Sequence, residues 1–381
     1  MKLMRRLLTV CLALLMVPLT GCWDYKEAEN RSVVSGMAID CGTGPFRYHL
    51  TFEVADLSDG GGQQTKLKGK IIEADGNTIF DAVKNASRVS GHALYFSDCK
   101  IVIFSSGIAR KGLTPVLDWL NRDMQPRFVI RMMVSLEDTA GELLQGQPVG
   151  NLASYQIFNS LKNLSESGKT PEVSLYQADN ILLGQGKDLV LPCLRLKEIG
   201  GKEQAEISGT AVFNGDKYAG VRNEEQTADD MLVAGQLHQG VLLVGEKPDK
   251  KDITLKIQAV SANTSPQLDG KTPAMKIGIK TKCIFDEENS HNNYFAQLGI
   301  KRIEQFASAS LEERAERAVH EVQNSSGCDI FGFGRKIYEK DPKLWAELKP
   351  DWHQKFRTLK VSINAEVQIS NTGLAYPKGY E

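Results

Sequence analysis

The sequence lacks the residue patterns that usually carry catalysis or metal binding. It has no Gly-x-Ser-x-Gly nucleophile elbow and no Cys-x-x-Cys pair, and its six histidines are scattered. His320 and Glu321 lack the second histidine that the motif of a zinc protease requires, and residues 184–187 lack two defining positions of a phosphate loop. We therefore predict no catalytic residue, no metal site and no bound cofactor, and we interpret residues 184–187 as a turn.

Charge and hydrophobicity argue against two further classes of protein. The 46 Lys and Arg residues balance 47 Asp and Glu residues, and no basic run stands out. A nucleic-acid-binding protein would be expected to have a clustered basic face, so we predict no nucleic-acid partner. Beyond residue 22 no apolar stretch reaches the ~20 residues of a membrane-spanning helix. We expect the rest of the chain to be a soluble body outside the cytoplasm.

The first 21 residues have the pattern of a lipoprotein signal peptide. Lys2, Arg5 and Arg6 precede an apolar stretch, residues 7–19, that is shorter than a spanning helix. The following Leu-Thr-Gly-Cys sequence resembles a bacterial lipobox, which predicts cleavage after Gly21 and a diacylglyceryl group on Cys22. Two acyl chains give stable anchoring, so the lipid on Cys22 alone can hold the protein on the membrane.

The other cysteines are far apart and odd in number. With Cys11 cleaved away and Cys22 acylated, the cysteines that remain are Cys41, Cys99, Cys193, Cys283 and Cys328. Several lie in apolar, strand-like contexts, which favours buried free thiols. One disulfide between distant cysteines remains an alternative, because exported proteins meet oxidising conditions.

Local patterns predict a mixture of strands and helices. Residues 33–40 and 46–54 are β-prone and flank a turn, which predicts an antiparallel hairpin. Asn77 or Thr78 can cap a helix that ends at Gly91. Residues 99–105 read as a buried central strand, and residues 359–369 alternate strictly between apolar and polar side chains. The fold class expected from this order is α+β, with mainly antiparallel or mixed sheets packed against helices.

Composition changes divide the chain into three expected folded units. Residues 22–200 form the first, in which strands alternate with helices. A small middle unit, residues 201–248, begins at a Gly-Gly pair and contains a hairpin and a helix. The last unit, residues 249–381, is expected to be a mainly antiparallel sheet with a long helix, residues 297–323, on one face.

A Gly-Phe-Gly sequence follows this long helix at Gly332, Phe333 and Gly334. Two glycines around an aromatic residue indicate a backbone with positive φ or a close approach of two segments. Phe331 and Phe333 can anchor such a turn to a core. A structural role is the more ordinary interpretation, and a partner-binding role is the alternative.

Three stretches resemble one family, the Ger(x)C lipoproteins, which are the C subunits of spore germinant receptors. The first is Gly21-Cys22-Trp23-Asp24 with residues 36–40, the second is residues 209–213 with Gly220, and the third is residues 328–335 with residues 342–345. They stand in the family's order and span nearly the whole chain, and residues 328–335 are the most specific. Two positions depart from the family pattern, Ala38 where a second glycine is common and Cys328 where no fixed cysteine is known.

The resemblance implies a non-enzymatic subunit, lipid-anchored on the outer face of the spore inner membrane. Its implied partners are a polytopic A-type and a polytopic B-type membrane subunit, with which it serves the response to nutrient germinants. The family fold has three β-containing domains. Besides Cys22, the candidate interaction or structural residues are Trp23, Asp24, Asp329, Phe331, Gly332, Phe333, Gly334 and Trp345.

Two other classes of anchored protein are the alternatives. A solute-binding lipoprotein of an envelope transporter would have two similar α/β lobes around a cleft, whereas the expected units here are unlike. A cell-wall hydrolase would need a convergent acid or metal cluster, which the sequence does not show.

Overall fold

The computed structural model describes residues 31–56, 68–123, 127–146, 152–245, 252–268, 273–288 and 294–371. The expected signal peptide, Cys22, Trp23 and Asp24 lie outside these residues. In the described part, two β-sheets are packed against helices, which confirms the expected α+β class.

In the part of the chain that the structure describes, the first sheet has nine strands and is mixed in direction. Its strands are β1 (Arg31–Cys41), β2 (Tyr48–Asp56), β3 (Lys68–Gly76), β4 (Ala93–Tyr95), β5 (Ile101–Phe104), β6 (Arg131–Ser135), β7 (Val190–Ile199), β8 (Lys202–Asn214) and β9 (Lys217–Arg222). The order is β3-β2-β1-β5-β6-β7-β8-β9, with β4 pairing only with β1. The two ends of the sheet are antiparallel and its centre, from β1 to β7, is parallel. The predicted hairpin of β1 and β2 is confirmed.

Strand β5 occupies the centre of this sheet, as its apolar sequence predicted. All four of its residues are buried, because β1 and β6 flank it and side chains cover both faces. Ile101 and Ile103 face one core, while Val102 and Phe104 face the other. This alternation places a separate hydrophobic core on each side of the sheet.

Helices cover both faces of the first sheet. They are α1 (Ile79–Ser90), α2 (Ser106–Lys111), α3 (Thr114–Arg122), α4 (Glu142–Gln145), α5 (Ala153–Glu166) and α6 (Leu175–Leu182). Helix α1 begins as predicted, since the Thr78 hydroxyl accepts a hydrogen bond from the Asp81 N–H, at 3.1 Å. It ends at Gly91, which has a φ of 76° that suits glycine.

The described residues give the second sheet four strands, in the order β10-β11-β12-β13. They are β10 (Gly240–Val244), β11 (Ile253–Gln267), β12 (Ala274–Glu288) and β13 (Lys360–Asn371). Two of the pairings are antiparallel, as expected, and β13 runs parallel to β12. The parallel pairing follows from the helical crossover between these two strands, which returns the chain in the same direction.

Within the described residues, five α-helices accompany the second sheet. They are α7 (Glu224–Val233), α8 (Tyr294–Asn324), α9 (Phe333–Lys340), α10 (Pro342–Leu348) and α11 (Trp352–Arg357). Helix α8 is interrupted at Gly299, where φ is 73° and ψ is 163°. Beyond that point its buried face, which includes Ile303 and Leu311, joins the core that contains Ile363 and Val367 of β13. The long helix therefore packs on one face of the sheet, as the alternating last strand predicted.

The strands of the expected middle unit are divided between the two sheets. Strands β8 and β9 extend the first sheet, whereas β10 is an outer strand of the second. Helix α7 and Val212 of β8 belong to the core of the second sheet. Residues 201–248 thus have no sheet of their own among the described residues, and the three-unit division of the chain stays a prediction.

Candidate functional site

The loop after α6 meets the loop after α8 at a junction between the two halves of the chain. The Asp188 N–H donates to the Asp329 carbonyl oxygen at 2.9 Å, and the Asp329 N–H donates to Oδ2 of Asp188 at 2.6 Å. The Arg335 N–H donates to the Gly186 carbonyl at 2.7 Å. We call residues 185–188 and 328–335, with Trp345, Trp352 and His353, the Asp329 junction.

The Asp329 carboxylate organises the start of α9. It accepts hydrogen bonds from the backbone N–H groups of Gly332, Phe333 and Gly334 at 2.8, 3.0 and 2.7 Å, and from the Trp352 indole at 3.0 Å. The first N–H groups of a helix have no partner within it, so this carboxylate satisfies donors that would otherwise be orphaned. Asp329 therefore caps α9 from outside the helix.

Burial dominates the electrostatics of this carboxylate. The side chain of Asp329 is fully buried, which raises its pKa to about 6 from an ordinary 3.8. The N–H groups of Gly334 and Phe333 favour the charged form and oppose the rise in pKa, whereas the nearby charge of Asp188 adds to it. Because it has no exposed surface, the carboxylate makes all its contacts inside the protein.

The glycines of the junction allow two backbones to touch. A Cβ atom on Gly334 would lie 2.7 Å from the Trp345 ring and 2.9 Å from Cα of Gly186. A Cβ atom on Gly186 would lie 2.3 Å from the Gly334 carbonyl carbon, and Gly332 has a φ of 75°. The Trp345 indole also donates to Oε1 of Gln185 at 3.1 Å. The predicted close approach is therefore present at this turn.

Aromatic rings form the floor of the junction. Phe333 and Phe356 are fully buried with ring centroids 6.0 Å apart, and Trp345 meets Trp352 edge-on at 5.2 Å. Phe331 is half-buried and stacks on Phe333 at 5.3 Å. The structure thus brings together all the sequence-predicted residues from 329 onward. Their contacts are internal, as the structural interpretation of the Gly-Phe-Gly turn requires.

Two further junction residues, Asp188 and His353, were not predicted from the sequence. His353 Nε2 lies 3.0 and 3.2 Å from the two carboxylate oxygens of Asp188. This hydrogen bond raises the pKa of His353 above its ordinary value, with burial opposing it. Neither residue stands in a recognisable motif. The Gly-Gln-Gly-Lys turn before Asp188 was the nearest signal in the sequence.

A second cluster of buried charges ties α7 to β9 and α8. Arg222, at the end of β9, donates to both carboxylate oxygens of Asp230 at 2.8 and 3.0 Å and to Glu321 of α8 at 2.9 Å. Arg314 of α8 donates to Asp229 of α7 at 2.9 Å. These ion pairs join the last strand of the first sheet to the long helix of the second.

The hairpin of β8 and β9 is also held by close contacts. Gly209 has a φ of 77°, and a Cβ atom there would lie 2.0 Å from the Arg222 carbonyl oxygen. At the hairpin turn, the Asp216 carboxylate accepts from the Thr114 N–H and hydroxyl of α3. Gly209, the first residue of the second family-like stretch, is therefore required to be glycine on steric grounds.

The five cysteines of the described residues are free thiols. Four are buried, and burial raises the pKa of each to about 12. These four are Cys99, Cys193, Cys283 and Cys328. In the same part of the chain, no helix is both long and apolar enough to cross a bilayer.

Comparison with known proteins assigns the family. A model described as "Spore germination protein N-terminal domain" matches residues 24–196, and one described as "Spore germination B3/ GerAC like, C-terminal" matches residues 208–373. The chain belongs to the Ger(x)C family. Between the two matched regions lies the turn from β7 to β8, so both regions contribute strands to the nine-stranded sheet.

Relatives in the Ger(x)C family match along nearly their full length. Spore germination protein KC of Bacillus subtilis (strain 168) is 21% identical, over 97% of this chain and 96% of its own. Spore germination protein B3 of the same organism is 22% identical, over 94% and 96%. GerQC of Bacillus cereus is 23% identical, over 95% and 97%.

A solved structure supports the fold. The crystal structure of the GerBC protein matches with a TM-score of 0.55 and 17% identity, covering 88% of this chain and 97% of that one. At this identity the likeness concerns the fold alone. It agrees with the α+β arrangement of two helix-packed sheets.

Proposed function

We propose that this Ger(x)C chain is a lipid-anchored subunit of a spore germinant receptor. It acts on the outer face of the spore inner membrane, beside polytopic A-type and B-type subunits, as a scaffold or interaction subunit. The observation that carries the proposal is the match of both germination-protein models, in order, to residues 24–196 and 208–373. Family membership by itself supports a role in germination. The lipid anchor, the location in the spore and the membrane partners are what we propose beyond that role.

The lipid anchor rests on the sequence before the folded body. The lipobox-like residues end at Cys22, and the N-terminal family model begins at residue 24. With so short a separation, lipid on Cys22 would hold the body close to the headgroups. Trp23 and Asp24 would then lie at the bilayer surface, where the amphipathic ring of a tryptophan is favoured.

The internal contacts of the Asp329 junction support a non-catalytic role. Asp329, the single acid of residues 328–335, is fully buried, and four N–H groups bind its carboxylate. A general acid or base must reach the proton it transfers, and this carboxylate is enclosed. We therefore infer that the residues of the Asp329 junction maintain the folded shape of the subunit, so that its surface can contact membrane partners.

The solute-binding alternative fits the fold less well. A binding protein of that class would have two similar lobes around a cleft. The two sheets here differ, with nine strands in one and four in the other among the described residues. This difference favours the receptor subunit.

The anchor is tested by Cys22→Ala in sporulating cells that carry no other copy of the gene. We expect the variant to be lost from the spore membrane fraction. We also expect spores that carry it to respond less to the nutrient germinant that the receptor recognises. Germination by non-nutrient triggers should be unchanged. Cys11→Ala is the matched control, since it alters the apolar stretch of the signal peptide and leaves the lipobox intact.

Two results would contradict this proposal. Normal membrane retention and a normal nutrient response of Cys22→Ala would refute the anchoring role. Loss of both nutrient and non-nutrient germination on deletion of the gene would indicate a general envelope function in place of a receptor subunit.

A further inference from the structure

Three side chains with metal-ligating atoms meet on one side of the Asp329 junction. Asp188, Cys328 and His353 each offer one ligand atom, and these atoms all lie within 4.8 Å of one another. They come from distant parts of the chain, which is why the absence of a Cys-x-x-Cys motif does not bear on them. This is the one such cluster among the described residues.

We propose that Asp188, Cys328 and His353 form a zinc-binding site that links the two halves of the chain. A thiolate, an imidazole and a carboxylate are all zinc ligands, and three protein ligands with a fourth position for water are a common arrangement. Mg²⁺ and Ca²⁺ prefer oxygen ligands alone, so the thiol and imidazole select against them.

The surroundings of the cluster suit a bound dication. The Asp188 carboxylate already accepts a hydrogen bond from the Asp329 N–H at 2.6 Å, which orients it as an outer-shell partner would. Asp188 and Asp329 place two carboxylates at the junction, and a cation would offset their charge. The Cys328 side chain is fully buried, whereas 44% of the His353 side chain is exposed, so the ion can enter beside the imidazole.

Binding requires a small rearrangement with a definite proton balance. In tetrahedral zinc sites the ligand atoms lie roughly 3.5 Å apart. The His353 and Asp188 atoms are already this close, so the sulfur of Cys328 must approach them by up to about 1.3 Å. The ion would replace the hydrogen bond between His353 and Asp188, so Nε2 of His353 would give up its proton and the neutral ring would keep one proton on Nδ1, with any further proton released to solvent. The Cys328 thiol would also release its proton to solvent on forming the Zn–S bond. Because Asp188 precedes β7 and the other two ligands follow α8, the ion would fasten the first sheet to the helices after α8.

The test uses the full lipidated chain, purified in detergent, and Zn²⁺ alone as the probe. Competition with a chromophoric chelator should give one equivalent of Zn²⁺ per chain, with a Kd below about 1 μM. Substitution by Co²⁺ should give the thiolate-to-cobalt charge-transfer band. Saturating Zn²⁺ should raise the Tm by about 5 °C.

Two variants and two controls decide the assignment. Cys328→Ser and His353→Gln should each weaken binding by at least about tenfold, and Cys328→Ser should abolish the charge-transfer band. Cys283→Ser removes another buried thiol, and His49→Gln breaks a His–Asp pair that joins no three-ligand cluster in the described residues. Both controls should bind Zn²⁺ as the unaltered chain does.

The half-exposed position of His353 keeps the test decisive even if Cys328→Ser fails to fold. His353→Gln should retain the metal-free Tm and lose the Zn²⁺-induced rise. Equal Zn²⁺ affinity in this variant and the unaltered chain would overturn the proposal, as would a Co²⁺ spectrum without a thiolate band.

Discussion

Asp188 and Asp329 hold each other by two hydrogen bonds that run in opposite directions. The N–H of Asp188 donates to the Asp329 carbonyl at 2.9 Å, and the N–H of Asp329 donates to the Asp188 carboxylate at 2.6 Å. The two residues are 141 positions apart in the sequence. This exchange aligns the loop before β7 with the loop before α9. It therefore couples residues 328–335 to the parallel part of the first sheet.

Replacement of the capping acid should be strongly destabilising. Asp329→Ala leaves four N–H donors without their acceptor in a buried site, so we expect the free energy of unfolding to fall by about 3 kcal/mol or more. Urea denaturation followed by circular dichroism measures this loss. Asp138→Ala, at an exposed acid, is the control and should change stability by less than about 0.5 kcal/mol.

The close approach at Gly334 should tolerate no added methyl group. Gly334→Ala would place a Cβ 2.7 Å from the Trp345 ring, and we expect a loss of about 1–3 kcal/mol in thermal or urea unfolding. Gly278→Ala is the matched control, because a Cβ there meets no atom within 4 Å. Equal stability of the two variants would show that the backbones at Gly186 and Gly334 do not touch as described.

The ion pair between Arg222 and Asp230 should matter far more than a surface pair. Asp230→Ala leaves the buried Arg222 without its bidentate partner, so we expect a loss of about 3–5 kcal/mol. Asp118→Ala removes the partner of Arg122 at a pair whose side chains are 56% and 77% exposed. That control should leave the stability nearly unchanged, because solvent screens the exposed pair. Similar losses in both variants would contradict the buried geometry of Arg222.

Replacing the buried pair by apolar residues should restore much of this stability. The double variant Arg222→Met with Asp230→Leu removes both charges together, so no buried charge remains unpaired. We expect it to unfold at a higher urea concentration than Asp230→Ala. A double variant that is less stable than the single one would mean that Glu321 or another partner dominates the cluster.

Local sequence patterns predicted the elements that depend on short-range contacts. The hairpin of β1 and β2, the helix capped by Thr78 and the alternating strand β13 all follow from turn residues, caps and periodicity. Strand β3 was not predicted. The joining of β8 and β9 to the first sheet was also missed, since strand pairing between distant segments leaves no periodic trace.

Only those parts of the candidate site that local sequence patterns mark could be predicted. Gly332 and Gly334 signalled a special backbone because glycine alone suits positive φ or close approach. Asp188 and His353 are ordinary residues in the sequence and become notable only when the fold brings them together. Asp329 could be picked out as part of the family resemblance, but its capping of α9 depends on a loop geometry that the sequence pattern does not encode.

The most direct test of the receptor assignment is affinity purification of the tagged, lipidated chain from spore membranes, with bound proteins identified by mass spectrometry. We predict that polytopic A-type and B-type germinant-receptor subunits co-purify with it. The Cys22→Ala variant should recover them at least about tenfold less, because anchoring concentrates the subunit beside its partners. Recovery of a transporter permease in place of these subunits would contradict the account.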